Sequence, residues 1–157
     1  MHVRPACQAD ISAVIALFDA VSGLHGDGRK DLFKPAVGPT ISQEEVLGFI
    51  AEDTPRLFVS TNDGGEVTGM LLCSMRTVQD HDVLNDSKTL WVEAMCVDDA
   101  FRGQGYGKLL LSHVKDVAKQ QGCVRVELNV WAFNESARAF YEKEGMVAQR
   151  IIMEYFL

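Results

Sequence analysis

The stretch LWVEAMCVDDAFRGQGYGKLLLSHVKDVAKQQG, residues 90–122, constrains the fold more than any other part of this sequence. Leu90 to Val97 is an apolar run of strand length, and Asp98 to Gly107 is a polar turn carrying glycines at 103, 105 and 107. From Lys108 to Gln121, Leu110, Val114, Val117 and Ala118 fall on one helical face and Lys115 and Lys119 on the other, with Gly122 as the C′ residue. Val124, Val126, Leu128 and Val130 then alternate with Arg125, Glu127, Asn129 and Trp131, the period of a strand. Two strands joined through a helix form a parallel crossover, so Leu90 to Val130 reads as one such unit inside a mixed sheet.

The turn also carries chemistry. A glycine loop that opens a helix presents consecutive N–H groups and the positive end of the helix dipole, which together suit phosphate oxygens. Glycines let the backbone approach a bulky pyrophosphate without interference from Cβ. Two nucleotide motifs fail on spacing. The dinucleotide fingerprint G-x-G-x-x-G finds Lys108 where its last glycine belongs, and no G-x-x-x-x-G-K-[ST] exists in the chain.

The flanking sequence completes the order β, α, α, β, β, β, α, β, α, β. His2 to Pro5 reads as a strand, and Ile11, Val14, Ile15, Phe18 and Val21 form a helical stripe. Gly23 to Gly38 reads as a polar, glycine-bearing connection and a candidate substrate lid. Ser42 and Glu45 are the ends of a capping box that starts a second helix. Arg56 to Thr61 and Val67 to Met75 form an antiparallel pair across NDGG, and Gln79 to Ser87 is a polar loop. Asn134 caps a last helix bearing Ala137, Phe140 and Tyr141, Gly145 ends it, and Arg150 to Leu157 reads as a closing strand. No linker or repeat divides the 157 residues, so residues 1–157 are expected to form a single α/β (α+β) domain.

Composition narrows the function. The formal charge of −7 argues against general nucleic-acid binding, which rests on clustered basic charge. No apolar run reaches the ~18 to 20 residues that a bilayer span needs, and no secretory leader opens the sequence, so the expectation is a cytoplasmic protein without membrane contact. Cys7, Cys73, Cys96 and Cys123 show no ligand spacing; they read as reduced small hydrophobes, and no metal is expected.

The R-x-x-G-x-G run Arg102, Gly103, Gln104, Gly105, Tyr106, Gly107 resembles the acyl-coenzyme A loop of the GNAT N-acetyltransferase superfamily. LWVEAMCVDDAFRGQGYGKLLL resembles that family's fourth strand, pyrophosphate loop and third helix; VELNVWAFNESARAFYEKEGM resembles its fifth strand and fourth helix; VRPACQAD resembles its first strand and helix entry. The resemblance implies a central mixed, mostly antiparallel twisted sheet of six to seven strands, flanked by about four helices and splayed after the fourth strand. It implies acetyl-CoA as cosubstrate, held by the loop Arg102 to Lys108 and by backbone groups of Met95, Cys96 and Val97, with Asn134 touching the pantetheine arm. It also implies Glu93 as general base and Tyr141 as the acid that protonates the departing thiolate.

Each of these residues has a plainer reading. Glu93 could face solvent or pair with a basic neighbour such as Arg125, rather than being a base poised by burial. Tyr141 could be core packing, Asn134 a pure N-cap, and His25 and His81 solvated loop residues. Cys96 has no basic sequence neighbour to activate it, so no covalent nucleophile is expected. The expected acceptor is a primary amine on a small molecule or peptide, cationic if Asp27, Asp31, Asp80, Asp82 and Asp86 flank the pocket. The rival reading is a non-catalytic acyl-CoA binding or sensing module on the same fold. An apolar closing strand that a partner subunit covers would make a homodimer.

Overall fold

A computed structural model describes residues 1–35, 37–53 and 56–157. Five strands, β1 (His2–Pro5), β2 (Arg56–Thr61), β3 (Val67–Val78), β4 (Ser87–Val97) and β5 (Arg125–Leu128), form one sheet in the order β1-β2-β3-β4-β5. The first three pairings are antiparallel and β4 with β5 is parallel, joined through helix α3 (Tyr106–Gln120) as the crossover requires. Helices α1 (Ile11–Gly28) and α2 (Gln43–Ala51) cover one face, where Val14, Leu17 and Val46 bury against Leu57, Val59, Met70, Leu72 and Cys96. On the other face Leu110, Leu111 and Val114 of α3 meet Phe58, Leu71, Cys73, Leu90 and Val92, and α4 (Glu135–Lys143) adds Phe140 and Tyr141.

Local chemistry explains these boundaries. Ser42 Oγ accepts from Glu45 N at 3.2 Å while Ser42 N donates to Glu45 Oε2 at 2.8 Å, the reciprocal box that starts α2. In the β2–β3 turn, Asn62 Oδ1 accepts from the amides of Gly64 and Glu66, and Gly65 takes a φ of +83° that other residues resist. Asp10, 5% exposed, enters α1 held by both guanidinium nitrogens of Arg4 at 2.6 and 2.9 Å and by the Cys7 amide at 2.8 Å. Those bonds hold the Asp10 carboxyl below the usual carboxylate range, the Arg4 bond foremost.

Four expectations are corrected. The first helix runs on to Gly28, through Gly23 and Gly26, so the connection is shorter than Gly23 to Gly38; Ala36 lies outside the described residues. The helix persists because its far end packs: the His25 ring lies 5.4 Å from Phe33 and 6.2 Å from Trp131, and a Cβ on Gly28 would strike the Phe133 ring. With its preceding turn, Gln8–Gly28 is long and apolar enough to cross a bilayer by length and hydropathy, contrary to expectation, yet Ile11, Val14 and Leu17 are core residues here. Residues 146–157 form no strand, and among the described residues the sheet has five strands rather than six or seven. Finally, the fifth strand spans Arg125–Leu128 alone, because Thr89 to Val92 are its whole partner set on β4.

Candidate acyl-donor and acceptor site

Beyond Val92, β4 continues for five residues to Val97 while β5 has ended, and a gap opens between the two strands. The hydrogen-bond phase of the β3–β4 ladder decides which backbone groups face that gap. Asp98 N donates to Thr68 O at 3.0 Å, and in this register the bonded pairs alternate, so Met70 with Cys96 and Leu72 with Ala94 bond across the ladder. The backbone groups of Met95 and Val97 therefore point away from β3, into the gap. Of the three residues expected to offer free backbone groups, Cys96 is excluded, because its N–H and C=O are committed to β3. The close approach is visible at Gly69, where an added Cβ would lie 2.7 Å from Cys96 O.

Next to the gap stands the glycine loop. Gly103 and Gly105 take φ values of +76° and +96°, and Gly105 is the N-cap of α3. Intrahelical bonding begins with Leu109 N to Gly105 O at 3.0 Å, and the amides of residues 103–108 meet no protein acceptor among the described residues. The loop's side chains are otherwise engaged. Arg102 Nε donates to Val97 O at 3.2 Å and its guanidinium pairs with Asp99 at 2.6 Å; Gln104 Nε2 donates to Ala100 O at 3.0 Å. Tyr106 is buried, its ring 5.9 Å from Phe101 in an edge-on contact, so Tyr106 can offer a ligand only its backbone. Lys108 is exposed beside an open depression that Gly105, Leu109 and Ser112 help to line.

Loop, β4 and α4 converge at Gly107, where an added Cβ would sit 3.4 Å from Phe140 Cζ and 3.5 Å from Met95 Cε. Tyr141 OH lies 4.0 Å from Met95 Sδ, and burial pushes the phenol up to about 12, so it carries its proton at any ordinary pH. Asn134 caps α4, its Oδ1 accepting from Ala137 N at 3.2 Å, and its side-chain nitrogen donates to no group among the described residues. Burial pushes the Cys96 thiol up as well, which removes it as a nucleophile.

Glu93 follows the plainer of its two readings, half-exposed and beside a basic residue, although that residue is not Arg125. Leu72 pairs with Ala94 and the adjacent Cys73 with Val92, which leaves Glu93 as the extra residue of a β-bulge. Its side chain is 38% exposed and joins the face of Ser74 and Trp91: Ser74 Oγ donates to Glu93 Oε1 at 2.6 Å and Trp91 Nε1 to Oε2 at 2.9 Å. The basic neighbour is Arg76, 3.8 Å from Oε1 and stacked 3.5 Å over the Trp91 ring; Arg125 pairs with Glu127 instead. Ser74, Arg76 and Trp91 escaped sequence reasoning. The alternation of β3, with Cys73 and Met75 inward and Ser74 and Arg76 outward, is the signal that could have found two of them. Glu93 thus stands on the α1 face and Tyr141 on the α3 face, with the gap between.

His25 is half-buried among aromatic rings rather than solvated, and burial pushes its imidazole down. His81 is exposed, its Nδ1 accepting from the amides of Val83 and Leu84. Of the expected acidic flank, Asp31 is neutralised by Arg29 at 2.7 Å, and Asp86 Oδ1 accepts from Asp80 N at 3.0 Å. Among the described residues no three His, Cys, Asp or Glu side chains cluster as metal ligands would.

A sheet splayed beside a glycine loop with free amides is the architecture of an acyltransferase, and the family model described as Acetyltransferase (GNAT) family matches residues 28–146. The chain belongs to that family. An uncharacterized N-acetyltransferase of Bacillus subtilis, YdgE, is 33% identical over 93 residues, 59% of this chain and 55% of the relative. The mycothiol acetyltransferase of Beutenbergia cavernae is 33% identical over 64% of this chain and 32% of its own, so the chain spans about half or less of the curated relatives it matches. Among solved structures, a tetramutant of the BH1408 protein from Bacillus halodurans superposes with a TM-score of 0.95 at 25% identity, covering 100% of both chains. An aminoglycoside 6′-N-acetyltransferase from Acinetobacter haemolyticus shares the fold with a TM-score of 0.71 at 19% identity, over 100% of this chain and 98% of that one.

Proposed function

We propose that the protein moves an acetyl group from acetyl-CoA to a primary amine of a small molecule or peptide, by direct transfer within a ternary complex. The observation that carries this reading is the β4–β5 gap itself: outward-pointing backbone groups of Met95 and Val97 lie between an amide-lined loop and the Tyr141 phenol. The amides of residues 103–108 would hold the pyrophosphate, Lys108 would add positive charge, and the free amide of Asn134 would meet the pantetheine. A backbone N–H facing the gap suits the oxyanion that forms when the amine attacks the thioester carbonyl. Donated acetyl-CoA supplies the activated acyl group; the rest is proton handling by this chain.

An alkyl ammonium with a pKa near ~10 must lose a proton before it attacks. Glu93 is the proposed acceptor of that proton, directly or through water, and Ser74 and Trp91 hold its two oxygens in place. Tyr141 then donates to the leaving thiolate. An acceptor carrying positive charge remains the proposal, supported by the net charge of −7 rather than by local geometry, because Arg76 flanks Glu93 and Asp31 is paired. Four free cysteines support a cytoplasmic location. The experiment is thiol release from acetyl-CoA against polyamines, aminoglycosides, amino acids and N-terminal peptides. Thermal stabilisation by acetyl-CoA without turnover across that panel would favour the binding or sensing module instead.

A further inference from the structure

Glu93 does not stand alone on its face of the sheet. Arg76, on the neighbouring strand β3, lays its guanidinium over the Trp91 ring with Cζ 3.5 Å from the centroid. Stacking on an indole fixes the plane of a guanidinium and leaves its N–H edge open to a planar oxyanion. No protein group takes up that edge among the described residues. Glu93 Oε1, at 3.8 Å, is beyond hydrogen-bond distance, and each Glu93 oxygen already holds a donor, Ser74 on one and Trp91 on the other. Glu127, opposite Trp91 in the β4–β5 register, accepts from Arg125 and Gln149 instead. Half of the Arg76 side chain is exposed, so the edge is within reach of a ligand. The placement is also directional. Ser74 pairs with Trp91 and Arg76 with Thr89, so from the gap inward the order is Met95, Glu93, Trp91 and then Arg76.

We propose that Arg76 binds a carboxylate of the acceptor, and that the acceptor is a free amino acid whose amine and carboxylate are joined by one or two carbons. This inference rests on the acetyl-transfer reading and narrows its substrate class. The ammonium supplies the positive charge of that reading and faces Glu93 and the gap; the carboxylate trails along the β3–β4 face to Arg76. The spacing agrees. With bonds of ~1.5 Å, an amine and a carboxylate joined by one or two carbons stand roughly 2.5 to 4 Å apart, so both ends can meet their counter-charges across the 3.8 Å between Arg76 and Glu93 at once. A carboxylate takes a guanidinium edge through two parallel charge-assisted hydrogen bonds, a geometry that a neutral amide cannot reproduce. A peptide N-terminus carries an amide where the free amino acid has its carboxylate, and a polyamine brings a second cation toward Arg76. Both are therefore disfavoured, the first by a missing partner and the second by like-charge repulsion.

The test is thiol release from acetyl-CoA with α- and β-amino acids, each beside its carboxamide and its decarboxylated amine. An acid should exceed both of its neutral-ended forms in kcat/KM by about 10- to 100-fold. Arg76→Leu, which keeps an apolar cover over the indole, should raise KM for the acid by that factor with kcat within about twofold, and leave the carboxamide unchanged. Arg76→Lys should recover part of the loss, because it restores the charge without the two-pronged edge. A merely structural role beneath Trp91 would lower acid and carboxamide alike. Equal efficiency for acid and carboxamide, or an Arg76→Leu variant that loses both equally, overturns the inference and leaves acetyl transfer standing. Calorimetric titration of the same compounds, with and without coenzyme A, reads the contact apart from turnover. Binding of an acid, lost in its carboxamide and in Arg76→Leu, supports the Arg76 contact even where no compound releases thiol, a result that would count against acetyl transfer alone. Absence of binding by every acid, or undiminished binding to Arg76→Leu, overturns it.

Discussion

Replacing Tyr141 by Phe removes one oxygen from a half-buried site, and the pKa relations of the site set what should follow. The phenol sits at about 12 and an alkyl thiol in water near ~8.5. Full transfer of the proton to a hydrated thiolate would be uphill by about 3.5 units, roughly 5 kcal/mol. Desolvation of the thiolate would close that difference, in the same direction in which burial pushes the Cys73 thiol of this protein up to about 12. The proposed proton transfer from Tyr141 therefore requires a thiolate that is still dry, and loss of the phenol should lower kcat for acetyl-CoA by about 10²-fold, or ~2.7 kcal/mol, with KM for acetyl-CoA within about twofold. The assay is thiol release with an acceptor identified from the amine panel, repeated with an aryl thioester whose thiolate leaves without help; there the loss should shrink to a few-fold. Because the phenol stays protonated, the rate should climb as the amine deprotonates and show no descending limb from Tyr141 below pH about 12. A descending limb near pH 9 to 10 that disappears in Tyr141→Phe, or an equal loss with both thioesters, would refute the reasoning.

Glu93→Gln should depress the rate most at low pH, where little free amine exists, and Ser74→Ala should shift the same pH profile by a smaller amount; unchanged profiles in both reduce the cluster to surface packing. Gly105→Val places a β-branched residue at a φ of +96°, costing about 1 to 3 kcal/mol in thermal or urea unfolding, and points a side chain into the space that phosphate needs. Its thermal shift with acetyl-CoA should vanish; an undiminished shift in a folded variant means the loop does not hold the ligand. Asp10→Ala should cost ~2 to 3 kcal/mol in urea unfolding, below the usual figure for a broken buried pair because Arg4 is 40% exposed and can rehydrate. Since the folded carboxyl of Asp10 lies below its unfolded value, its contribution is present above pH ~4 and is lost as pH falls through the folded pKa; a wild-type and variant pair with parallel stability curves from pH 6 to 2 would contradict this.

Periodicity and capping made much of this legible in advance. The α3 stripe, the Ser42 box, the NDGG hairpin and the Asn134 cap are local patterns whose chemistry is complete within a few residues, and each stands where its residues indicate. What escaped depends on distant partners. Gly23 and Gly26 read as loop residues, yet α1 continues because its end is held by Phe33, Trp131 and Phe133, the last two from more than 100 residues away. Glu93 reads either as a base poised by burial or as a solvent-facing partner of a basic residue, and the choice rests on a bulge, a property of the β3–β4 register that is not written in β4 alone. The ladder phase that withdraws Cys96 from the gap and the reuse of Arg102 as a brace on Val97 O belong to the same kind. Residues 150–157 have the composition of a strand without a strand position in this chain, since β composition reports a surface that wants covering rather than where the cover is.

The bulge at Glu93 separates two kinds of sequence change that are usually ranked together. Because the chain takes an extra step there, Val92 and Met95, three residues apart, pack on the same side of the sheet, as does Val97. Exchanging the Glu93 side chain leaves that spacing intact and alters only what the carboxylate touches. Deleting the residue would bring Val92 and Ala94 together opposite Cys73 and Leu72 in unbroken register, so Met95 and Val97 would stay toward α3 and Ala94 and Cys96 toward α1, and only the local twist and the carboxylate would be lost. The bulge is thus a step the ladder can lose without exchanging its faces, and what it sets is where one carboxylate stands and how sharply β4 bends beside the gap.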